Sequence, residues 1–460
     1  MYRAILTAAA IGLATLAHAE TKVPQSQAEI SLGFAPLVKT AAPAVVNIYA
    51  KRVVNVRESP FMGDPFFQNL FRDFAEPRPR VENSLGSGVI LSEDGIVVSN
   101  YHVVGQSTDI RVHLNDRREY AAEVLLADQE ADLAILKLKD AEDMPFLTLR
   151  DSDTVEVGEL VLAIGNPFGV GQTVSSGIVS GLARSGTATG NARGYFLQTD
   201  APINPGNSGG ALIDINGALI GVNTSILTRS GGSNGIGFAI PSSLVGQFVE
   251  QAREGRSAFA RPWAGMFGQP VDADMAEGLG LDRPGGIVVS ELHEESPFRA
   301  AGFAPGDVIL EVDGEPVNTP AEMIFRMSVA GIGQEAEVLA LRDGDTGVTP
   351  VAMMAAPEKP ARNTTTTGRR SAVPEMVISN INPAVLGQYG LPLSLTGVVI
   401  ENPGPVGARM GLRPGDVLRG IDGAEIATVK DAERALTRAN RKITVEIQRG
   451  TQRIVSRFRL

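Results

Sequence analysis

One pattern of glycines, apolar residues and acids occurs twice in the second half of the chain, and tandem copies of one unit constrain a fold more than any single motif. The first copy runs Gly286-Ile287-Val288-Val289 through Ala301-Gly302-Phe303-Ala304-Pro305-Gly306-Asp307-Val308-Ile309 to Asp313-Gly314. The second runs Gly397-Val398-Val399-Ile400 through Met410-Gly411-Leu412-Arg413-Pro414-Gly415-Asp416-Val417-Leu418 to Asp422-Gly423. The matching Gly, Pro-Gly-Asp and Asp-Gly positions keep one offset over the second half of each copy, which predicts two similar modules, at 259–356 and 373–460. Between them, Pro357 to Ala372 carries four consecutive threonines, prolines and basic residues, and 357–372 reads as a linker.

Residues 84–250 have a different texture. Short runs alternate apolar and polar residues with turn chemistry between them, as in Asp109 to Leu114 and Asp132 to Leu138. Asp94-Gly95 precedes Ile96-Val97-Val98. Asn216-Gly217 separates two apolar runs, Ala211 to Ile215 and Ala218 to Val222, and predicts a hairpin with a type I′ turn. Many short strands at this spacing suit a barrel or sandwich, not a parallel α/β sheet. Ahead of them, Val56 to Glu82 is polar and Pro-bearing, yet holds Phe61, Phe66, Phe67, Phe71 and Phe74. It reads either as a long loop whose aromatics dock elsewhere or as a disordered insertion.

The chain has 460 residues, 43% of them hydrophobic, which is ample for several domain cores. Having no cysteine, it has no disulfide, thiolate metal cluster or cysteine nucleophile. A formal charge of −11 argues against nucleic acid or an anionic membrane as the main partner. Arg3, the apolar run Ala4 to Leu16 and the small residues of Ala17-His18-Ala19 predict a secretory signal, 1–19, cleaved after Ala19. The mature protein is therefore expected to be exported and soluble, with three histidines remaining.

Gly206-Asn207-Ser208-Gly209-Gly210 is the first candidate for chemistry. A serine hydroxyl becomes a nucleophile when a base takes its proton and donors stabilise the resulting oxyanion. Gly206 lets the backbone turn its N–H toward the point addressed by that of Ser208. The base has to be a histidine, and His102 follows a strand-like run in Asn100-Tyr101-His102-Val103-Val104, a good place to present an imidazole. His113 shares a polar strand face with Arg111, and His293 belongs to the first repeat module. Neither they nor any His/Cys spacing suggests a metal site. Of the aspartates between His102 and Ser208, Asp132 is favoured because it opens the apolar run Leu133 to Leu136. Asp200 is its nearest competitor; Asp128, Asp151 and Asp153 read as turn or surface residues. Gly206-x-Ser208-x-Gly210 also fits the nucleophile elbow of α/β-hydrolases. That fold needs a helix straight after the serine and a later histidine; here a β-hairpin follows. The order His, Asp, Ser on an all-β unit matches the chymotrypsin arrangement.

These strings together resemble the HtrA (DegP/DegQ-like) family of periplasmic serine endoproteases. The matching stretches are Leu85-Gly86-Ser87-Gly88-Val89-Ile90, Asn100 to Val104, Ala131 to Leu136, Ala163-Ile164-Gly165-Asn166-Pro167-Phe168-Gly169, Gln198-Thr199-Asp200-Ala201, Gly206 to Gly210, and Gly235-Ile236-Gly237-Phe238-Ala239-Ile240-Pro241. The resemblance implies a mainly β, multidomain chain: a chymotrypsin-like double β-barrel at 20–258, then two PDZ domains. It implies His102, Asp132 and Ser208 as the triad, and an oxyanion hole from Gly206, Asn207 and Ser208. It further implies a small hydrophobic primary pocket shaped by Ile203 and Ile226, and substrate pairing as an added strand along Asn223, Thr224 and Ser225. Arg184 matches a loop position that senses PDZ occupancy, and Trp263-Ala264-Gly265-Met266 takes the carboxylate-loop position of PDZ domain 1, with Ala264 replacing a larger apolar residue. No clear equivalent loop is present near Val373 to Ile378. No cofactor and no ATP are implied. The expected partners are unfolded or misfolded polypeptides, C-terminal peptides at PDZ domain 1, and further copies of the chain in trimers or their multiples, with the Phe-rich segment contacting neighbouring subunits. The expected function is periplasmic degradation of misfolded exported proteins, with chaperone activity beside it. The competing expectation is a PDZ-based holdase whose protease unit is largely latent.

Overall fold

A computed structural model describes residues 33–57, 77–166, 171–185, 195–204, 206–226, 235–439 and 442–459. The signal segment and the five phenylalanines of the Phe-rich stretch lie outside the described residues. β1 (Val45–Arg57), β2 (Pro77–Ile90), β3 (Ile96–Ser99), β4 (Asp109–His113), β5 (Glu119–Asp128) and β6 (Leu133–Leu138) close into a barrel in the order β1-β2-β3-β6-β5-β4. β7 (Leu160–Gly165), β8 (Thr173–Ser185), β9 (Tyr195–Thr199), β10 (Ala211–Asp214), β11 (Leu219–Ile226) and β12 (Gly237–Pro241) close a second, in the order β10-β11-β12-β9-β8-β7. The ends of the stretch read as a loop over 56–82 are strand: β1 and β2 stay paired out to Arg57 opposite Pro77.

Three apolar clusters build this unit. Val46, Ile48, Val97, Val112 and Leu136 fill the first barrel, and Val161, Val179, Leu197 and Ile220 the second. A third cluster joins the barrels, with Val89, Val98 and Ile135 meeting Ile164, Phe196, Ile213 and Phe238. β3 is consequently buried on both faces and lacks alternation, whereas β4, wet on one side, keeps it. The helix Ser242–Arg253 seals the joint with Leu244, Val245 and Phe248, and Phe248 stacks on Phe259 at 3.9 Å.

The Asn216-Gly217 hairpin forms, but not with the expected type I′ turn. Only Gly217 takes a positive φ, of 86°. The Asp214 carboxylate accepts the N–H groups of Asn216 and Ala218, at 2.8 and 3.0 Å, and draws Ile215 out of the strand into the turn. A side-chain bond to the backbone thus replaces the second left-handed residue.

The repeat gives two similar sheets. The first holds β13 (Met266–Pro270), β14 (Ile287–Leu292), β15 (Val308–Val312), β16 (Glu315–Pro316), β17 (Glu335–Arg342) and β18 (Asp345–Ala352), in the order β13-β14-β15-β17-β18, with β16 on β15. The second holds β19 (Thr365–Thr366), β20 (Val377–Asn380), β21 (Val398–Asn402), β22 (Val417–Ile421), β23 (Ala424–Glu425), β24 (Lys442–Arg449) and β25 (Gln452–Arg459), in the order β19-β20-β21-β22-β24-β25, with β23 on β22. The recurring Pro-Gly-Asp has one mechanical job in both. Asp307 accepts the Ala304 N–H at 3.0 Å and Arg342 at 2.7 Å; Asp416 accepts the Arg413 N–H at 2.8 Å and Arg449 at 2.6 Å. Each acid closes its turn and ties it to the matching strand, β17 or β24. The segment expected as a linker, 357–372, is more than a tether, because it supplies β19. Four threonines give no apolar alternation to betray a strand, although β-branched residues suit one.

The first PDZ domain packs on the second barrel. Arg326, from the helix Pro320–Ala330, has its side chain 8% exposed and lies 2.6 Å from Asp153 and 2.9 Å from both Glu315 and the Tyr195 hydroxyl. The Tyr195 ring stacks on Phe325 at 3.8 Å.

Candidate active site

His102 sits in a single helical turn, Tyr101–Val104, directly after β3. Asp132 lies just ahead of β6, with φ of 54°. A left-handed backbone is uncommon outside glycine, and aspartate is among the residues that tolerate it. Here it is held by bonds to the His102 turn. The Tyr101 N–H and the Asn100 side-chain amide donate to the Asp132 carbonyl at 3.1 and 3.0 Å. The His102 N–H donates to Asp132 Oδ1 at 3.0 Å, and His102 Nδ1 lies 2.9 and 2.8 Å from the two carboxylate oxygens. A carboxylate only accepts, so Nδ1 carries a proton, and in the neutral ring the lone pair is on Nε2. The imidazole side chain is 51% exposed and the carboxylate 21%.

The second barrel supplies the serine. Gly206, with φ of 99°, and Gly209, with φ of 83°, bend the loop ahead of β10. Gly209 has no substitute here: a Cβ on it would stand 2.1 Å from the Ser87 carbonyl oxygen. The Gly209 N–H donates to the Asn223 carbonyl, and the Asn223 N–H to the Gly210 carbonyl, at 2.8 and 2.9 Å. The Ser208 hydroxyl donates to the Thr224 carbonyl at 3.0 Å, and the Thr224 hydroxyl donates to Asp132 Oδ2 at 2.7 Å. Thr224 therefore touches both the candidate acid and the candidate nucleophile. It can do so because β11 bulges there: Asn223 faces Ala239 and Ser225 faces Phe238, leaving Thr224 outside the ladder.

The other candidates fall into place around this core. The Asn207 N–H donates to the Asn204 carbonyl at 3.0 Å, so its amide is engaged within the loop and is no oxyanion donor. The Gly206 and Ser208 N–H groups donate no hydrogen bond among the described residues, which leaves those two available. Asn223 likewise has both backbone groups engaged with the nucleophile loop, contrary to its expected pairing with substrate; Thr224, Ser225 and Ile226 remain for that. Ile203 is buried against Gly237 of β12, and the Ile226 backbone lies opposite the same glycine. Asp200, the competing acid, accepts the Ile178 N–H at 2.7 Å. Asp128 caps its own turn on the Ala131 N–H and pairs with Arg261 at 2.7 Å. His113 lies on β4 against Tyr49, 3.9 Å from Glu119, and His293 accepts the Glu295 N–H in its loop at 3.1 Å. Among the described residues no cluster of His, Asp and Glu could hold a metal ion.

Two further expected positions lie away from this core. The Arg184 backbone lies in β8 opposite Phe196, next to Tyr195 and so beside the contact with the first PDZ domain. In that domain the Ser296 hydroxyl and the His293 N–H hold the carbonyls of Ala264 and Gly265, at 2.6 and 2.8 Å, just ahead of β13.

Sequence reasoning missed Ser87. Its hydroxyl donates to the Gly206 carbonyl at 2.6 Å and accepts the Asn166 N–H at 2.8 Å, while its own N–H donates to the Ser208 carbonyl at 2.9 Å. One residue of the first barrel thus braces the nucleophile loop of the second. It also missed the hydroxyl of Thr224, a residue expected only to meet substrate through its backbone. The string Leu85 to Ile90 flagged the Ser87 neighbourhood; nothing in the sequence marks the bulge at Thr224.

Known proteins resemble this chain over most of its length. Residues 86–222 match the trypsin-like peptidase domain family, and 253–351 and 398–449 match PDZ domain families. A probable periplasmic serine endoprotease, DegP-like, of Halomonas elongata is 37% identical over 405 residues, covering 84% of each chain. Its counterpart in Pseudomonas putida is 37% identical over 431 residues, covering 89% of each. This chain belongs to the HtrA family of DegP-like serine endoproteases. Among solved structures, the HtrA-type protease AlgW with a decapeptide superposes with a TM-score of 0.52 at 38% identity, covering 71% of this chain and 99% of that one. AlgW with a tripeptide gives 0.53, also at 38%, covering 71% and 98%. This HtrA-family chain is thus a serine protease with a trypsin-like peptidase domain and two PDZ domains, and among its described residues no helix is long and apolar enough to cross a membrane.

Proposed function

We propose that His102, Asp132 and Ser208 are the catalytic triad of an ATP-independent endopeptidase that cleaves unfolded or misfolded exported polypeptides in the periplasm. One observation carries the reading: an unbroken chain of bonds runs from His102 through Asp132 and Thr224 to the Ser208 hydroxyl. Ser208 Oγ attacks the scissile carbonyl as its proton passes to His102 Nε2, and Asp132 stabilises the imidazolium through Nδ1–H. The N–H groups of Gly206 and Ser208 receive the oxyanion. The imidazolium then protonates the departing amine, and water, deprotonated by the same ring, releases the acyl group. An extended substrate adds as a strand along Thr224, Ser225 and Ile226, which selects unfolded clients because folded ones have no free backbone to offer. Ile203 and Ile226 shape a small apolar primary pocket.

C-terminal peptides bind the first PDZ domain beside β13, and Arg184 relays their presence to the active site across the Tyr195 contact. The protein assembles as trimers or multiples of them and adds chaperone activity to proteolysis. Cleavage of unfolded casein by the full chain without nucleotide tests the enzyme: wild type degrades it, and Ser208→Ala does not. A second reading, a PDZ-based holdase with a largely latent protease, draws on one specific contact. The Ser208 hydroxyl is bonded to the Thr224 carbonyl and not to His102. Absence of casein cleavage, with aggregation of the client still suppressed, would establish that reading instead.

A further inference from the structure

The two PDZ domains differ most at one sheet edge. In the first, β13 ends its sheet: it pairs with β14 on one side and, among the described residues, with no strand on the other. In the second, the corresponding strand β20 pairs with β21 on one side and β19 on the other. That outer edge is where a PDZ domain receives an extended peptide as an added strand. Here it is taken by the chain itself.

The occupancy runs well beyond the two residues of β19. Thr365 lies opposite Ile378 and Thr366 opposite Val377. The Asn380 N–H donates to the Arg362 carbonyl at 2.8 Å at one end. At the other, the Thr367 N–H donates to the Met376 carbonyl at 2.8 Å and the Glu375 N–H returns to the Thr367 carbonyl at 3.0 Å. Side chains add to the ladder: Asn380 Nδ2 donates to the Ala361 carbonyl at 3.0 Å, and the Thr364 and Ser379 hydroxyls are 2.7 Å apart. Residues 361–367 run antiparallel to β20, toward the loop ahead of that strand, the course a captured C-terminal peptide would follow. They do not end there, but turn and continue into β20, and Thr367 and Val373 are buried. The flanking helix Val429–Arg438 closes over the same hairpin. Its Val429 N–H donates to Asn380 Oδ1 at 2.9 Å, and its Leu436 carbonyl accepts the Ala372 N–H at 3.0 Å.

We propose that the second PDZ domain is a latent peptide receptor whose strand site is filled in cis by residues 361–367, and that it accepts an extended, polar, Thr/Asn-bearing polypeptide strand once that segment is displaced. A tethered occupant acts at an effective concentration of roughly millimolar, so a free peptide at micromolar concentration does not displace it from the intact chain. The strand occupancy is independent of the proteolytic reading, and every test can be run on Ser208→Ala protein.

Two measurements decide the matter. Native-state hydrogen exchange on the full chain compares the Asn380 amide, which donates to the Arg362 carbonyl, with the β13 amides that face away from β14. The proposal expects Asn380 to exchange roughly tenfold slower or more; equal rates overturn it. The second measurement uses a fluorescein-labelled peptide of residues 358–368 added in trans, read by anisotropy. The intact chain leaves it unbound, whereas a Thr365→Pro/Thr366→Pro chain, whose prolines cannot donate to the ladder, binds one peptide per chain. Binding to the intact chain overturns the proposal, as does a folded double variant with a fast-exchanging Asn380 amide that binds none. Should the double variant fail to fold, hydrogen exchange on the intact chain decides alone.

Discussion

The two barrels bring unequal halves to the proposed active site. The first contributes a finished acid–base unit: the His102 turn and Asp132 are stitched together by backbone and side-chain bonds, and the imidazole tautomer is fixed. The second contributes a nucleophile loop that is braced from outside, by Ser87, and whose hydroxyl is bonded to the Thr224 carbonyl. An oriented base is the smaller demand: two short segments hold it, with one added bond from Thr224. Placing the nucleophile needs a bulge in one barrel and a strand of the other. The difference is that the geometry of the second barrel's loop rests on bonds across the barrel joint, from Ser87 of the first barrel.

The largest expected effects come from the reacting groups. His102→Ala and Ser208→Ala each lower kcat by about 10⁴-fold or more, and the double variant is hardly worse than either, because the pair acts as a unit. Asp132→Asn costs a comparable ~10⁴-fold by reversing the imidazole tautomer. Steady-state cleavage of a fluorogenic peptide reads all of these, and additive losses in the double variant would break the description of a joined unit.

Next come the residues that join the halves. Thr224→Val removes a hydrogen bond to a charged carboxylate while keeping the carbonyl that meets Ser208. Such bonds are worth roughly 1.5–3 kcal/mol, so kcat should drop about tenfold or more with KM little changed. Ser87→Ala leaves the Gly206 carbonyl and the Asn166 N–H without their shared partner, at about 1–3 kcal/mol. It should lower kcat about tenfold and leave the His102–Asp132 proton resonance of the first barrel unshifted in NMR spectra. A shifted resonance would mean that the two halves are not separately built.

The smallest effect concerns the second barrel's contact with the first PDZ domain. Burial pushes the Tyr195 phenol up to about 12 from its ordinary 10.0, with Arg326 pulling the other way. The folded state therefore holds that proton where the unfolded chain has lost it. The contribution is complete below pH ~10 and disappears as pH rises from about 10 to about 12. Unfolding midpoints across that window should fall further in wild type than in Tyr195→Phe.

The residues proposed to carry the chemistry could be picked out in the sequence because short motifs mark them locally. His102 follows a strand, Asp132 opens one, and Ser208 sits among glycines that only a tight loop would need. The tandem modules were legible because Asp307 and Asp416 perform one task at one spacing. What escaped depends on partners distant along the chain. Nothing near Thr224 announces that a bulge frees its hydroxyl for Asp132, and nothing near Ser87 announces that it touches Gly206. The same holds for Asn207, expected at the oxyanion hole, and Asn223, expected to pair with substrate, whose backbone amides are taken by loop closures visible only in three dimensions. The type I′ expectation failed because Asp214 offers the turn a side-chain acceptor. The linker expectation failed because the segment 361–367 gains its order from β20 and not from any periodicity of its own.

The most direct test of the joined cleft is active-site labelling with a fluorophosphonate, followed by mass spectrometry of the modified peptide. A single adduct on Ser208 is expected in wild type, slowed by several orders of magnitude in His102→Ala. An adduct formed at the wild-type rate without His102, or one carried by another residue, would contradict it.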